Sequence, residues 1–196
     1  MAPRDVPRLF VAIPIPEQIA TEVGALITDV DGAVVQTGHR VRWVQMEGLH
    51  ITVRFLGPTP KTQIATVAAA VARAAVAVPG AFPISLGGAG GFPDAERPRA
   101  LWIGIRSGAE ALGGLSDALT TELVADGWSL DARPFRPHLT IARTDGVPAG
   151  ADACKLLEAR AADLDLRFTA DHVVLYRSHL GHGPARYETL ERVALD

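Results

Sequence analysis

The sequence predicts an α+β fold built on antiparallel sheets. Three observations carry that expectation. Short β-rich runs recur along the chain and are joined mostly by hairpin-like connections, amphipathic helical stretches interrupt only some of them, and no long linker or charge run divides the 196 residues. A doubly wound parallel sheet would instead alternate strand and helix throughout.

The elements follow in order. Residues 8–13 read as a first strand, punctuated by Pro14 and Pro16. The helix after it covers 17–30, where Ile19, Val23, Leu26, Ile27 and Val30 recur at helical spacing. Two β-rich runs, 41–44 and 49–56, read as a hairpin pair ended by Gly57-Pro58. A strong helix covers 60–78, with Thr59 as N-cap and Pro60 in its first turn, and stops before Pro79-Gly80. Residues 82–86 form a strand, and the glycine-rich run 87–94 reads as a loop. That run is no dinucleotide fingerprint, because a strand follows it where the motif needs a helix. Strand 100–105, helix 110–126, strand 135–143, helix 151–162 and strands 164–168, 172–176 and 185–193 complete the chain, which reads as one domain over 1–196.

Composition excludes several classes. A 48% hydrophobic, 21% charged chain can bury a sizeable core, so disorder is excluded. Cys154 is alone, which leaves no internal disulfide or cysteine-rich zinc site and points to a reducing, cytoplasmic setting. The apolar run 9–15 is broken by Pro14 and the alanine-rich run 64–78 by Arg73, so neither reads as a signal peptide or a membrane span. Lys61 and Lys155 are the only lysines among 19 basic residues, a bias of coding rather than of phosphate binding. A net charge of −3 argues against coating long nucleic acid, so any nucleic-acid contact should be small.

The chemistry lies in a repeated tetrad, His50-Ile51-Thr52-Val53 and His138-Leu139-Thr140-Ile141, each in a predicted strand. Strand side chains alternate between faces, so each copy sets an imidazole and a hydroxyl on one face while the apolar residues point into a core. If the two strands faced each other, the imidazoles would stand on either side of a small anion. One neutral histidine could then activate water while a protonated one serves the leaving oxygen, since an unperturbed pKa near ~6.5 allows both forms. The hydroxyls of Thr52 and Thr140 could donate to non-bridging phosphate oxygens. A lone His-x-Thr is more often structural; two copies in matching contexts are a different signal.

On these residues the chain resembles the 2H phosphoesterase superfamily, and within it the RNA 2',3'-cyclic phosphodiesterases also described as 2'-5' RNA ligases. Further stretches carry the resemblance: residues 8–12, Arg42-Trp43-Val44, Gly91-Phe92-Pro93, the run 97–102, Phe135-Arg136-Pro137 before the second motif, and Ser178 and Tyr187 near the end. The resemblance implies a bilobal fold of two pseudo-symmetric lobes around a central cleft, one lobe holding both termini. It implies His50 as proton donor and His138 as proton acceptor, with no metal and no cofactor. The reaction implied is opening of a 2',3'-cyclic phosphate, on an RNA end or a nucleotide, to a 2'-phosphomonoester; the expected partners are those RNA ends or cyclic nucleotides, with no membrane, no protein partner implied, and a monomer. Reversal to 2'-5' ligation, or an RNA-end binding module without turnover, are the alternatives.

Two arginines compete for the phosphate. Strand parity favours Arg54, which shares the face of His50, whereas the resemblance favours Arg143, whose parity is opposite to that of His138. Phe55 has core parity and reads as packing, as do Trp43, Trp102 and Trp128. His179 and His182 have the spacing of metal ligands but read as a solvent loop, and His39 and His172 carry no local context.

Overall fold

The computed structural model describes residues 6–35, 41–130, 133–144, 148–179 and 185–196. Its strands are β1 (Arg8–Pro14), β2 (Arg42–Trp43), β3 (His50–Pro58), β4 (Phe82–Phe92), β5 (Ala100–Ser107), β6 (His138–Arg143), β7 (Leu166–Ala170), β8 (His172–His179) and β9 (Arg186–Ala194). Four helices accompany them: α1 (Glu17–Val35), α2 (Ile64–Val76), α3 (Ala109–Ala125) and α4 (Pro148–Arg160).

All nine strands belong to one curled antiparallel sheet in the order β7-β4-β5-β6-β3-β1-β8-β9, with β2 added beside β6. Its middle is a single residue pair, Ile51 opposite Leu139, the only register contact between β3 and β6. Outward from that pair the halves mirror each other as β3-β1-β8-β9 and β6-β5-β4-β7. These are the two lobes, and the first holds both the first and the last strand. Helix packing repeats the symmetry, with α1 against α4 and α2 against α3. Arg73 of α2 reaches Glu122 of α3 and Asp126 just past its end, the latter at 2.8 Å.

The core is apolar and continuous. Ile51, Val53, Leu139 and Ile141 are buried with Leu112, Leu115 and Leu119 of α3, so the helices cover the sheet face opposite to the motif histidines. The α1 stripe of Ile19, Val23, Ile27 and Val30 continues to Val34, which is why this helix runs five residues beyond its expected end.

Three expectations are corrected. The runs 41–44 and 49–56 do not pair as a hairpin; β2 pairs β6, with Arg42 opposite Arg143 and Trp43 opposite Ala142, so it bridges to the other lobe. Thr59 does not cap α2. Its buried side chain donates to the Gly57 carbonyl at 3.1 Å, and the uncapped start tightens into a 3-10 turn over Lys61–Gln63. The glycine run is not a loop, because β4 continues through it to Phe92. Glycine is needed at 90, where a Cβ would come within 2.5 Å of the Trp102 ring, and at 88, where φ is +66° in a local break of register.

Candidate active site

β3 and β6 bring the two motifs together as neighbours in one sheet rather than as facing strands. The register set by Ile51 and Leu139 puts His50 beside Thr140 and Thr52 beside His138. The two histidine positions lie on the diagonal of that antiparallel pair, typically about 7–8 Å apart, which is room for a phosphate.

Both imidazoles are held alike. His50 Nδ1–H donates to the Gly48 carbonyl at 2.6 Å, and His138 Nδ1–H donates to the Arg136 carbonyl at 2.6 Å, each two residues back. A carbonyl only accepts, so Nδ1 carries the proton in both rings and Nε2 is the free nitrogen. Burial lowers the proton affinity of His50; the Gly48 carbonyl opposes this and His138 adds to it. Burial also lowers that of His138, opposed by the Arg136 carbonyl and reinforced by the cation of Arg143. The free protein therefore presents two neutral imidazoles, each with a lone pair at Nε2.

The arginines and Phe55 exchange the faces that strict alternation predicts. Against β1, Val11 pairs Arg54 but Ala12 pairs Thr52, so Val53 is the extra residue of a bulge. Past it, Arg54 turns to the helix side and its guanidinium donates to Ser116 at 3.2 Å and to Thr120 of α3. Phe55 turns to the histidine face, 67% exposed, with its ring 6.0 Å from that of Phe10. The second motif repeats the device: Leu101 pairs Ala142 while Trp102 pairs Thr140, leaving Ile141 extra. Ala142 is therefore buried and Arg143 swings to the site, where its charge acts on His138 and on Tyr187.

Aromatic rings line this face. Phe10 lies 4.8 Å from His50 and Tyr187 meets His50 edge-on at 5.0 Å. Tyr176 stacks on Phe10 at 5.2 Å. Across the centre, Phe92 meets His138 edge-on at 4.9 Å and Trp102 lies 5.3 Å from Phe92. Trp102 is thus part of the site, whereas Trp43 and Trp128 pack against the core as expected. Pairing of Trp102 with Thr140 is the signal that could have found it, had the strand register been known.

Other candidates fall outside. His179 bonds Glu188 at 2.8 Å at the end of β8; His182 and His39 lie outside the described residues. Among the described residues no three His, Cys, Asp or Glu side chains gather as a metal site. None of their helices is long and apolar enough to cross a membrane.

Comparison with known proteins shows the family and the fold. An RNA 2',3'-cyclic phosphodiesterase of Geobacillus stearothermophilus is 32% identical over 183 residues, 92% of this chain but 55% of that protein. One from Aeropyrum pernix is 33% identical over 58% of this chain and 63% of its own length. The chain therefore spans a little over half the length of these two relatives, although the match to the Escherichia coli protein of the same name, at 27% identity, covers 96% of both. Among solved structures, TT0787 of Thermus thermophilus superposes with a TM-score of 0.75 at 25% identity, over 96% of this chain and 97% of that one. Escherichia coli LigT complexed with 3'-AMP gives 0.72 at 26% identity, over 97% and 99%. The family model for the 2'-5' RNA ligase superfamily matches residues 15–182, and the chain belongs to that superfamily.

Proposed function

We propose that the protein opens the 2',3'-cyclic phosphate of an RNA end or nucleotide, leaving a 2'-phosphomonoester, by two-histidine acid-base catalysis without a metal. The observation that carries this reading is the paired tethering of His50 and His138, which leaves two Nε2 atoms free on one face of adjoining strands. The names of the curated relatives favour hydrolysis over the reverse, ligating direction, and two imidazoles kept in the same tautomer favour turnover over simple RNA-end binding.

In this mechanism water attacks phosphorus as it loses a proton to His138 Nε2. The P–O bond to the ribose 3'-oxygen breaks, and the 3'-oxygen takes a proton from His50. The roles fit their surroundings. Arg143 disfavours a second positive charge on His138, which suits the base. A bound phosphate anion would restore the proton affinity that burial takes from His50, which suits the acid. Thr52 and Thr140 donate to the non-bridging oxygens and Arg143 balances their charge as it builds. Arg54, committed to Ser116 and Thr120, is left out of this set. Phe55, exposed beside Phe10, offers a ring to the base of the terminal nucleotide.

The acting unit in this reading is residues 1–196 as a monomer, in a reducing cytoplasm that keeps the buried Cys154 a thiol. Incubation with 2',3'-cyclic nucleotides and cyclic-ended oligonucleotides, with and without EDTA, tests the reading. Turnover unaffected by chelation is expected; tight binding of cyclic ends with no turnover would replace the enzyme by a binding module.

A further inference from the structure

Tyr187 meets His50 through the curl of the sheet rather than through strand register. It pairs with Ser178, which pairs with Arg8, whereas His50 pairs with Pro14 at the opposite end of β1. Along the strands the two positions are far apart. The curl nevertheless carries β9, the outermost strand of its half, back over the catalytic face. There the Tyr187 ring meets that of His50 edge-on at 5.0 Å and that of Phe10 edge-on at 5.2 Å. Its neighbours on the strand take no part: Arg186 and Glu188 are exposed, and Glu188 bonds His179.

The same ring packs on the tether of His50. A Cβ built on Gly48 would lie 3.0 Å from the Tyr187 ring, so the ring rests against the backbone of the residue whose carbonyl accepts the His50 Nδ1–H bond. That carbonyl needs support. It ends the three-residue 3-10 turn Met46–Gly48, which buries none of its residues and has no side-chain cap. Met46 fastens the first residue of the turn, its thioether lying against Gly24 of α1. Tyr187 holds the last. The two supports differ in kind: the hydrogen bond fixes one atom of the imidazole, and an edge-to-face contact, which has its own preferred geometry, fixes the plane of the ring. His138 takes its edge-on contact from Phe92 instead.

We propose that Tyr187 is a positioning residue for the proton donor, its ring clamping the His50 imidazole and the Gly48 carbonyl together so that Nε2 is aimed at the phosphate while Nδ1 keeps its proton. The proposal rests on the acid-base reading of His50 and adds the group that sets the donor's direction. The ring performs this role; the phenol hydroxyl, on which the cation of Arg143 acts from the other lobe, is not required.

The test compares Tyr187→Leu with Tyr187→Phe, by turnover of a 2',3'-cyclic nucleotide and by nitrogen NMR of the imidazoles at neutral pH. Misplacing a reacting group by about 1 Å costs about 10²-fold, and a loosened one less, so kcat of Tyr187→Leu should fall about tenfold while KM changes less than about threefold. Its His50 signals should show the proton shared between Nδ1 and Nε2, with those of His138 unmoved. Tyr187→Phe should keep the Nδ1–H tautomer and a kcat within about threefold of the unmodified protein. Gly48→Ala reaches the same clamp without touching Tyr187, because its methyl group must push the ring away; it should lower kcat alone and cost nothing further in Tyr187→Leu. Equal losses in Tyr187→Phe and Tyr187→Leu would transfer the role to the hydroxyl and overturn the proposal. A folded Tyr187→Leu protein with kcat and His50 signals unmoved would overturn it too, as would losses that add in the double variant. The imidazole signals need no turnover. Absence of hydrolysis in the unmodified protein would therefore count against the acid-base reading alone, and the tautomer of His50 in Tyr187→Leu would still decide the clamp.

Discussion

Replacing Arg54 with methionine and Arg143 with alanine separates a side chain that holds the fold from one that serves the site. Arg54 donates to two hydroxyls on α3, Ser116 and Thr120, and because the guanidinium is charged each bond has a net worth of about 1.5–3 kcal/mol. Its Nε is buried with no partner among the described residues, a cost of about 1 kcal/mol that the substitution relieves, while Thr120 keeps its own bond to the Ser116 carbonyl at 2.6 Å. The methionine stem also preserves most of the packing. The balance is a loss of about 2–5 kcal/mol, or about 4–20 °C in Tm for a chain of this size. With the β3 bulge intact, kcat for a cyclic nucleotide should change less than about threefold. Arg143→Ala should do the reverse: little change in Tm, since the side chain is exposed, and a fall of about 10- to 100-fold in kcat/KM through lost charge-assisted contact to phosphate. Urea or thermal unfolding beside steady-state kinetics checks both. A hundredfold loss of kcat in Arg54→Met at unchanged stability would refute the bulge argument and return Arg54 to the phosphate.

Thr52→Ala and Thr140→Ala should each lower kcat more than they raise KM, and by less than loss of either histidine, since their hydroxyls matter most as charge builds on the phosphoryl oxygens; steady-state kinetics of both variants checks this. Because both histidines are held below their ordinary proton affinity, the bell-shaped kcat/KM profile should have its optimum below about pH 6.5, and Arg143→Ala should move the His138 limb upward. The same depression has a stability consequence: the unfolded chain binds these protons more readily, so the contribution is present above about pH 6.5 and is lost as pH falls through the lowered values, which unfolding midpoints between pH 7 and 5 would register. Phosphorus NMR of the product from a 2',3'-cyclic nucleotide should record a 2'-phosphate; a 3'-phosphate would exchange the donor and acceptor labels.

The histidine–threonine pairs are legible because a two-residue period is a local property: His50 with Thr52, and His138 with Thr140, share a face whatever the partner strand does. What lies three to five residues past each histidine is not local. The bulges at Val53 and Ile141 exist only in register against β1 and β5, and each reverses the parity of the residues that follow it directly. That is why Arg54 and Phe55 exchanged faces, and why Arg143 reached the site that alternation denied it. Pairing of β2 with β6 was equally hidden, since a two-residue strand carries too little pattern to name a partner in the other half of the sheet. The glycine run misled for another reason: its glycines answer to close approach by the Trp102 ring and to a register break, contacts visible only once β4 and β5 are side by side.

The central claim is that His50 and His138 exchange the protons of the reaction, and the most direct measurement is kcat of His50→Ala and His138→Ala on a 2',3'-cyclic nucleotide. Each is expected to fall by about 10²- to 10⁴-fold, with Tm close to that of the unmodified protein because the core-facing Ile51 and Leu139 are untouched. Activity within a few-fold of the unmodified protein in either variant would contradict two-histidine catalysis.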